Sequence, residues 1–148
     1  MGARARRHVA EETGRIDRQA LPQALIHADL TKGNVLFTPG GEVIVLDCAV
    51  ANRFPRVQEL AVIAANLTYG SPVPLPARVE AIAAMYSAAA PVPLTDAEHD
   101  ALRAFGLAAA AMELLGALSE WQDGNRGAET GYLIRLGTQG LRDYLTAT

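Results

Sequence analysis

His27, Asp29, Asn34 and Asp47 have the types and the spacing to do chemistry. The segment His27-Ala-Asp-Leu-Thr-Lys-Gly-Asn34 follows a short apolar run, Ala24-Leu-Ile26, and precedes another, Val35-Leu-Phe37. Thr38-Pro-Gly-Gly41 separates that second run from Val43-Ile-Val-Leu46. Two β-rich runs across a Pro-Gly-Gly turn predict a hairpin that ends at Asp47. Such a hairpin begins at Asn34 and returns Asp47 close to it, while Asp29 sits on the loop before. Three oxygen-bearing side chains can then converge at one end of a small sheet. An Asn amide oxygen and an Asp carboxylate are hard donors suited to Mg²⁺, which takes few protein groups and keeps waters and substrate phosphates. A second carboxylate, free of metal, can accept a proton from an attacking hydroxyl.

A base Asp, an Asn on magnesium and a further Asp on magnesium is the division of labour in kinase catalytic loops. The segments LIHADLTKGNVLF and VIVLDCAVANRFPRVQELA resemble the aminoglycoside phosphotransferase family, a kinase-like group that includes choline kinases and type II homoserine kinases. That family reads H-G-D-x-x-x-x-N-V/I-L, then I-D-F/W, then an acidic residue before Leu-Ala. The resemblance is specific over residues 24–67, and over 70–148 it rests on a helical pattern alone. It implies ATP- and Mg²⁺-dependent phosphorylation of a hydroxyl on a small molecule. In that reading Asp29 is the catalytic base, Asn34 and Asp47 bind Mg²⁺, and His27 braces the loop. Ala28 replaces the family's usual Gly, Cys48 and Ala49 follow Asp47 where an aromatic residue or Gly is common, and Glu59 stands where Asp is frequent.

The resemblance also implies a nucleotide-binding lobe with a strand-borne lysine paired to a helix glutamate. Only 26 residues precede His27, and they hold no lysine and no strand-rich stretch. The single lysine, Lys32, lies inside the loop, among twelve arginines elsewhere. The expected architecture is therefore α+β and mainly helical: a protein-kinase-like C-terminal lobe in one domain, 1–148, with the N-terminal ATP-binding lobe absent. On this reading the chain is a fragment, a truncated product or half of a split protein, and is inactive alone. The alternative is a non-catalytic half-kinase that binds a partner or forms a homo-oligomer. The acceptor stays open among homoserine, an amino alcohol, a sugar and an aminoglycoside.

The elements that must position these residues are legible in outline. Residues 3–20 are charged, with one Gly, and read as an exposed helix ended by Leu21-Pro22, with Arg4, Arg6, Arg7 and His8 on solvated faces. From 56 onward the pattern is helical: Val57, Leu60, Ala61, Ala64 and Leu67 share one face of a helix ending near Gly70. Pro76 suits the first position of a helix over 77–90. Thr95-Asp-Ala-Glu98 is a capping box opening a helix to about Gln122, closed by Gly124, and a last helix covers 129–146. The helices and the hairpin are expected to share one core. Cys48 reads as a buried small hydrophobe, His99 as solvated, Lys32 as solvent-exposed, and Trp121 and Tyr132 as packing residues. Glu113, Glu120 and Asp123 read as a polar helix face, with lining of a pocket for a cationic acceptor as the sharper option.

Composition sets outer bounds. The chain has 148 residues, half of them hydrophobic, a fifth charged, and a net charge of −3. This excludes global disorder and speaks against a nucleic-acid partner. A lone cysteine makes no internal disulfide. The basic start lacks the apolar stretch of an export signal, and the longest apolar run, Leu107–Met112, is far short of a membrane span. The expected location is the cytoplasm, away from membranes.

Overall fold

In a computed structural model the described residues are 3–18 and 20–146, the side chains of residues 3–5 and of His8 excepted. The order is α1 (Ala3–Gly14), β1 (Gln23–Ile26), β2 (Val35–Phe37), β3 (Val43–Val45), β4 (Asn52–Pro55), α2 (Val57–Asn66), α3 (Leu75–Ala89), α4 (Asp96–Gln122) and α5 (Ala128–Thr146). The fold is α+β. Two antiparallel two-stranded sheets form, one pairing β2 with β3 and the other β1 with β4. The β2–β3 hairpin is in the register Val35↔Val45, as its turn sequence requires. The pairing of β1 with β4, Ile26 opposite Asn52 and Gln23 opposite Pro55, has no signal in Asn52-Arg-Phe-Pro55, a short segment without alternation.

α4 is the central element, packed by α5, α2, α1 and α3. Its start is the expected capping box: Glu98 N–H donates to Thr95 Oγ1 (3.3 Å) and Thr95 N–H donates to Glu98 Oε2 (2.9 Å). By length and hydropathy α4 could cross a membrane, although no single apolar run within it is long, and 61% of its most apolar window is buried inside this fold. The core is built mainly of small residues, Ala61, Ala64, Ala65, Ala101, Ala109, Ala110 and Ala111, with Val57, Leu75, Leu107 and Tyr144 as its bulk. Small residues let α5 come close to α4. A Cβ on Gly137 would lie 2.6 Å from the Leu114 backbone nitrogen and 2.7 Å from the Ala110 carbonyl oxygen.

Several expectations need correction. α1 stops at Gly14 rather than near residue 20, because glycine ends a helix cheaply and Leu21 is then pulled into the core. The hairpin does not join the core: all three residues of β3 are exposed, and Phe37 is 74% exposed. Cys48 is exposed for the same reason, since none of the described residues covers the hairpin's end. Trp121 is exposed and holds the Arg126 guanidinium over its ring at 5.3 Å, whereas Tyr132 packs edge-on against Tyr69. Arg6, Arg7, Lys32 and His99 are exposed as expected; the side chains of Arg4 and His8 lie outside the described residues.

Two buried polar anchors, not visible in the sequence, tie the helices together. Arg56, just before α2, donates from Nε to Glu98 Oε1 (2.6 Å) and from Nη2 to Glu98 Oε2 (2.8 Å). Arg78 on α3 donates to the Ala64 carbonyl (3.0 Å) and to Thr68 Oγ1 (2.9 Å), and Asp143 on α5 accepts from Leu75 N–H (2.8 Å) at the start of α3. Burial pulls the Arg78 guanidinium below its ordinary range, with Asp143 opposing.

Candidate active site

β1 carries the chain into the 27–34 loop, and its pairing with β4 fixes where that loop begins. Ile26 is buried and anchors the entry. Ala28 then turns into the left-handed region with φ 68°, which favours glycine. Its N–H donates to Glu59 Oε2 at 2.8 Å, so the first turn of α2 holds the bend. Glu59 was notable in the sequence only as a departure from the family's Asp; its second oxygen, Oε1, is buried with no hydrogen-bond partner among the described residues. A left-handed non-glycine residue costs about 1 kcal/mol. Ala28→Gly is accordingly expected to stabilise the fold by about 0.5–1 kcal/mol, read as a rise in the urea midpoint with unchanged slope. A lowered midpoint would show that the bend is not strained by the methyl group.

Downstream of the bend the loop folds on itself. Asn34 Nδ2 donates both to the Asp29 carbonyl (2.9 Å) and to Asp29 Oδ2 (2.9 Å). Thr31 N–H donates to the same Asp29 carbonyl at 2.9 Å. Both Asn34 donor bonds use the amide nitrogen, which turns its Oδ1 away from Asp29. His27 spans the loop and the hairpin: its Nε2 meets the Leu46 carbonyl at 2.7 Å, and Asp29 N–H donates to its Nδ1 at 3.3 Å. A carbonyl can only accept, so Nε2 carries the proton and Nδ1 is the acceptor.

The hairpin closes where the spacing requires. Leu46 N–H donates to the Asn34 carbonyl at 2.9 Å, placing Asp47 one residue beyond that pair. Asp47 is exposed with φ 55°, and its Oδ1 accepts from Ala49 N–H at 3.3 Å. Asp is among the few residues that adopt this backbone readily. Asp29 and Asn34 are thus in direct contact, and Asp47 is adjacent through the backbone ladder. Among the described residues no three His, Cys, Asp or Glu side chains are gathered for a metal. The donor set beside Asp29 is instead one amide oxygen and one exposed carboxylate, which suits a hard cation that keeps waters and phosphates.

Asp29 lines a cavity of about 750 Å³ together with Ile26, Ala28, Phe54, Phe105, Met112 and Glu113. Asn34 and Asp47 do not line it. Of the three α4-end acids, only Glu113 reaches this cavity; Glu120 and Asp123 are exposed. Glu113 accepts from Asn66 Nδ2 at 2.7 Å. Burial raises its carboxyl above the ordinary range, the Asn66 bond opposes this, and the Asp29 charge adds to it. Sequence reasoning had no signal for Asn66 beyond a polar residue closing an apolar helix. Lys32 Nζ donates to the Tyr69 carbonyl at 3.2 Å, outside the cavity lining.

No curated protein matches the chain, and no solved structure does. The model of the phosphotransferase enzyme family, APH, matches residues 3–105, from α1 through the loop and hairpin into α4. A match over more than half of its length makes the chain a member of that family.

Proposed function

We propose that this chain is the catalytic-loop lobe of a phosphotransferase that moves the γ-phosphoryl group of ATP to a hydroxyl of a small molecule. The observation that carries the reading is the Asp29–Asn34 contact at the mouth of the hairpin that returns Asp47. Asp29 accepts the hydroxyl proton as the oxygen attacks the γ-phosphorus; a new O–P bond forms, the bond to the ADP oxygen breaks, and the proton leaves Asp29 for solvent afterwards. The amide bond from Asn34 orients the Asp29 carboxylate, and the His27 bridge from Leu46 to Asp29 N–H sets the distance between loop and hairpin. Asn34 Oδ1 and the Asp47 carboxylate are the groups that would hold Mg²⁺, which when bound neutralises phosphate charge. Catalysis of this kind is mostly positioning and charge stabilisation.

The test uses the protein that joins this lobe to a nucleotide-binding lobe. Asp47→Ala is expected to abolish Mg²⁺-dependent ATP binding, measured by calorimetry with and without the ion. Tight Mg·ATP binding in that variant would remove Asp47 from the ligand set. A second reading, a half-kinase that docks or self-associates without turnover, is favoured by the hairpin: Phe37, Val43 and Leu36 are 74%, 58% and 48% exposed. Light scattering and a phosphotransfer assay on one sample separate the two. A monomer turning over at ~1–100 s⁻¹, the ordinary kinase range, leaves no place for the second.

A further inference from the structure

A second cavity, of about 290 Å³, opens between α3, α4 and α5 and shares no lining residue with the cavity beside Asp29. Its floor is apolar: Val79, Leu102 and Tyr144 line it and are 1%, 5% and 0% exposed. Gly106 leaves room for the Tyr144 ring, since a Cβ there would collide with the phenol hydroxyl. The rim is charged, and the two signs stand on different helices. Glu80 is on α3, whereas His99 and Arg103 are one turn apart on α4. Glu80, His99 and Arg103 make no ion pair among the described residues. Arg103 is held to the α5 wall instead: its guanidinium lies 5.5 Å from the Tyr144 ring centroid, and its Nη2 donates to the Tyr144 carbonyl at 3.5 Å. Most of the five donors of that guanidinium stay open to a ligand. A ligand with one charge would satisfy one rim and be repelled by the other. A volume at the small end of ligand pockets, which run from about 300 to 1,000 Å³, has no room for a nucleotide.

We propose that this cavity binds a free α-amino acid with an aliphatic side chain. The carboxylate meets Arg103 and His99, the ammonium meets Glu80, and the side chain lies on Val79, Leu102 and Tyr144. Charge-assisted hydrogen bonds fix the two charged groups, and the apolar floor selects the side chain. Glu80 and His99 are exposed and Arg103 is half-buried, so solvent weakens the ion pairs and the expected dissociation constant is about 1 mM. The site does not rest on the phosphotransfer reading.

The probe is L-leucine, followed by NMR titration of the chain without nucleotide. Its comparators are isocaproate, which is leucine without the amine, isoamylamine, which is leucine without the carboxylate, and glycine, which lacks the side chain. Leucine is expected to bind the wild type about fivefold or more tightly than each comparator, with shift changes centred on residues 76–80 and 99–103. Glu80→Gln is expected to bring leucine down to the affinity of isocaproate without weakening isocaproate. Arg103→Gln is expected to weaken leucine and isocaproate without weakening isoamylamine. A comparator that binds as tightly as leucine, no leucine binding, shift changes centred on the Asp29 cavity, or leucine affinity unmoved by either variant would each overturn the proposal. If a variant fails to fold, the ranking of the four probes on the wild type decides.

Discussion

Glu98→Ala is expected to cost the fold about 3–5 kcal/mol, the usual consequence of removing one partner of a buried ion pair. Glu98 is 0% exposed and receives both the Nε and Nη2 donors of Arg56. Arg56 also donates to the Val92 carbonyl (2.8 Å) and the Pro93 carbonyl (2.8 Å), so it ties the start of α2, the α3–α4 loop and the start of α4 into one knot. Without the carboxylate the guanidinium keeps its carbonyls but has no counter-charge, and Thr95 N–H loses its acceptor. The reciprocal half of the capping box goes with the pair, while the Thr95 hydroxyl still accepts from the backbone N–H of residue 98. Glu98→Gln keeps the shape and should cost less than the alanine variant. Urea midpoints of the two variants check this; a loss under about 1 kcal/mol for Glu98→Ala would show that the knot is dispensable.

The same pair gives the stability a defined pH dependence. The Arg56 hydrogen bonds hold the Glu98 carboxyl below the ordinary 4.5, burial opposing them. Because the folded value is the lower one, the pair's contribution is complete above 4.5 and is lost as pH falls from there through the folded value. Arg56, pushed above its ordinary range by the Glu98 bond, stays charged throughout. Glu98→Gln should therefore flatten the acid limb of a midpoint-against-pH curve.

Asp29→Asn is expected to lower kcat by about 10²–10⁴-fold in the joined protein, with Mg·ATP affinity nearly intact. A base acts mainly in the transition state, and the substitution preserves an oxygen for Asn34 Nδ2, so the loop keeps its shape. Steady-state phosphotransfer at saturating acceptor reads the first quantity, and calorimetry with Mg·ATP the second. An equal loss in both would move Asp29 from proton acceptor to nucleotide ligand.

What could be read from the residues alone was local. The Thr95–Glu98 box and the Thr38–Gly41 turn each span four residues, and both formed as written. The His27–Asp47 spacing is likewise a local instruction: the loop closes because Asn34 is five residues from Asp29 and at the hairpin's root. The rest depends on partners far along the chain. Arg56 finds Glu98 across 42 positions and Asn66 finds Glu113 across 47, and neither has a periodicity that announces it. Val43-Ile-Val-Leu46 reads as a buried strand because apolar runs usually are, yet a run says nothing about whether a second layer covers it. Ala28 replaces the family's usual glycine; only the backbone angle shows that it is strained, and only the contact from α2 shows what holds it.

The exposed β3 ribbon has a colloidal consequence. Val43, Ile44, Val45 and Leu46 are 58%, 44%, 45% and 41% exposed, a stretch of high β-propensity with no charge and no proline inside it. An exposed apolar strand of this kind offers an edge on which another copy can stack, with strands about 4.7 Å apart. Glu42 and Asp47 bracket it. Each copy added to a stack would bring like carboxylates to that spacing, and the repulsion is the brake that charged gatekeepers supply. Asp47 is thus placed, with Glu42, as a charged gatekeeper of the ribbon, and Asp47→Asn is expected to increase aggregation measured by light scattering.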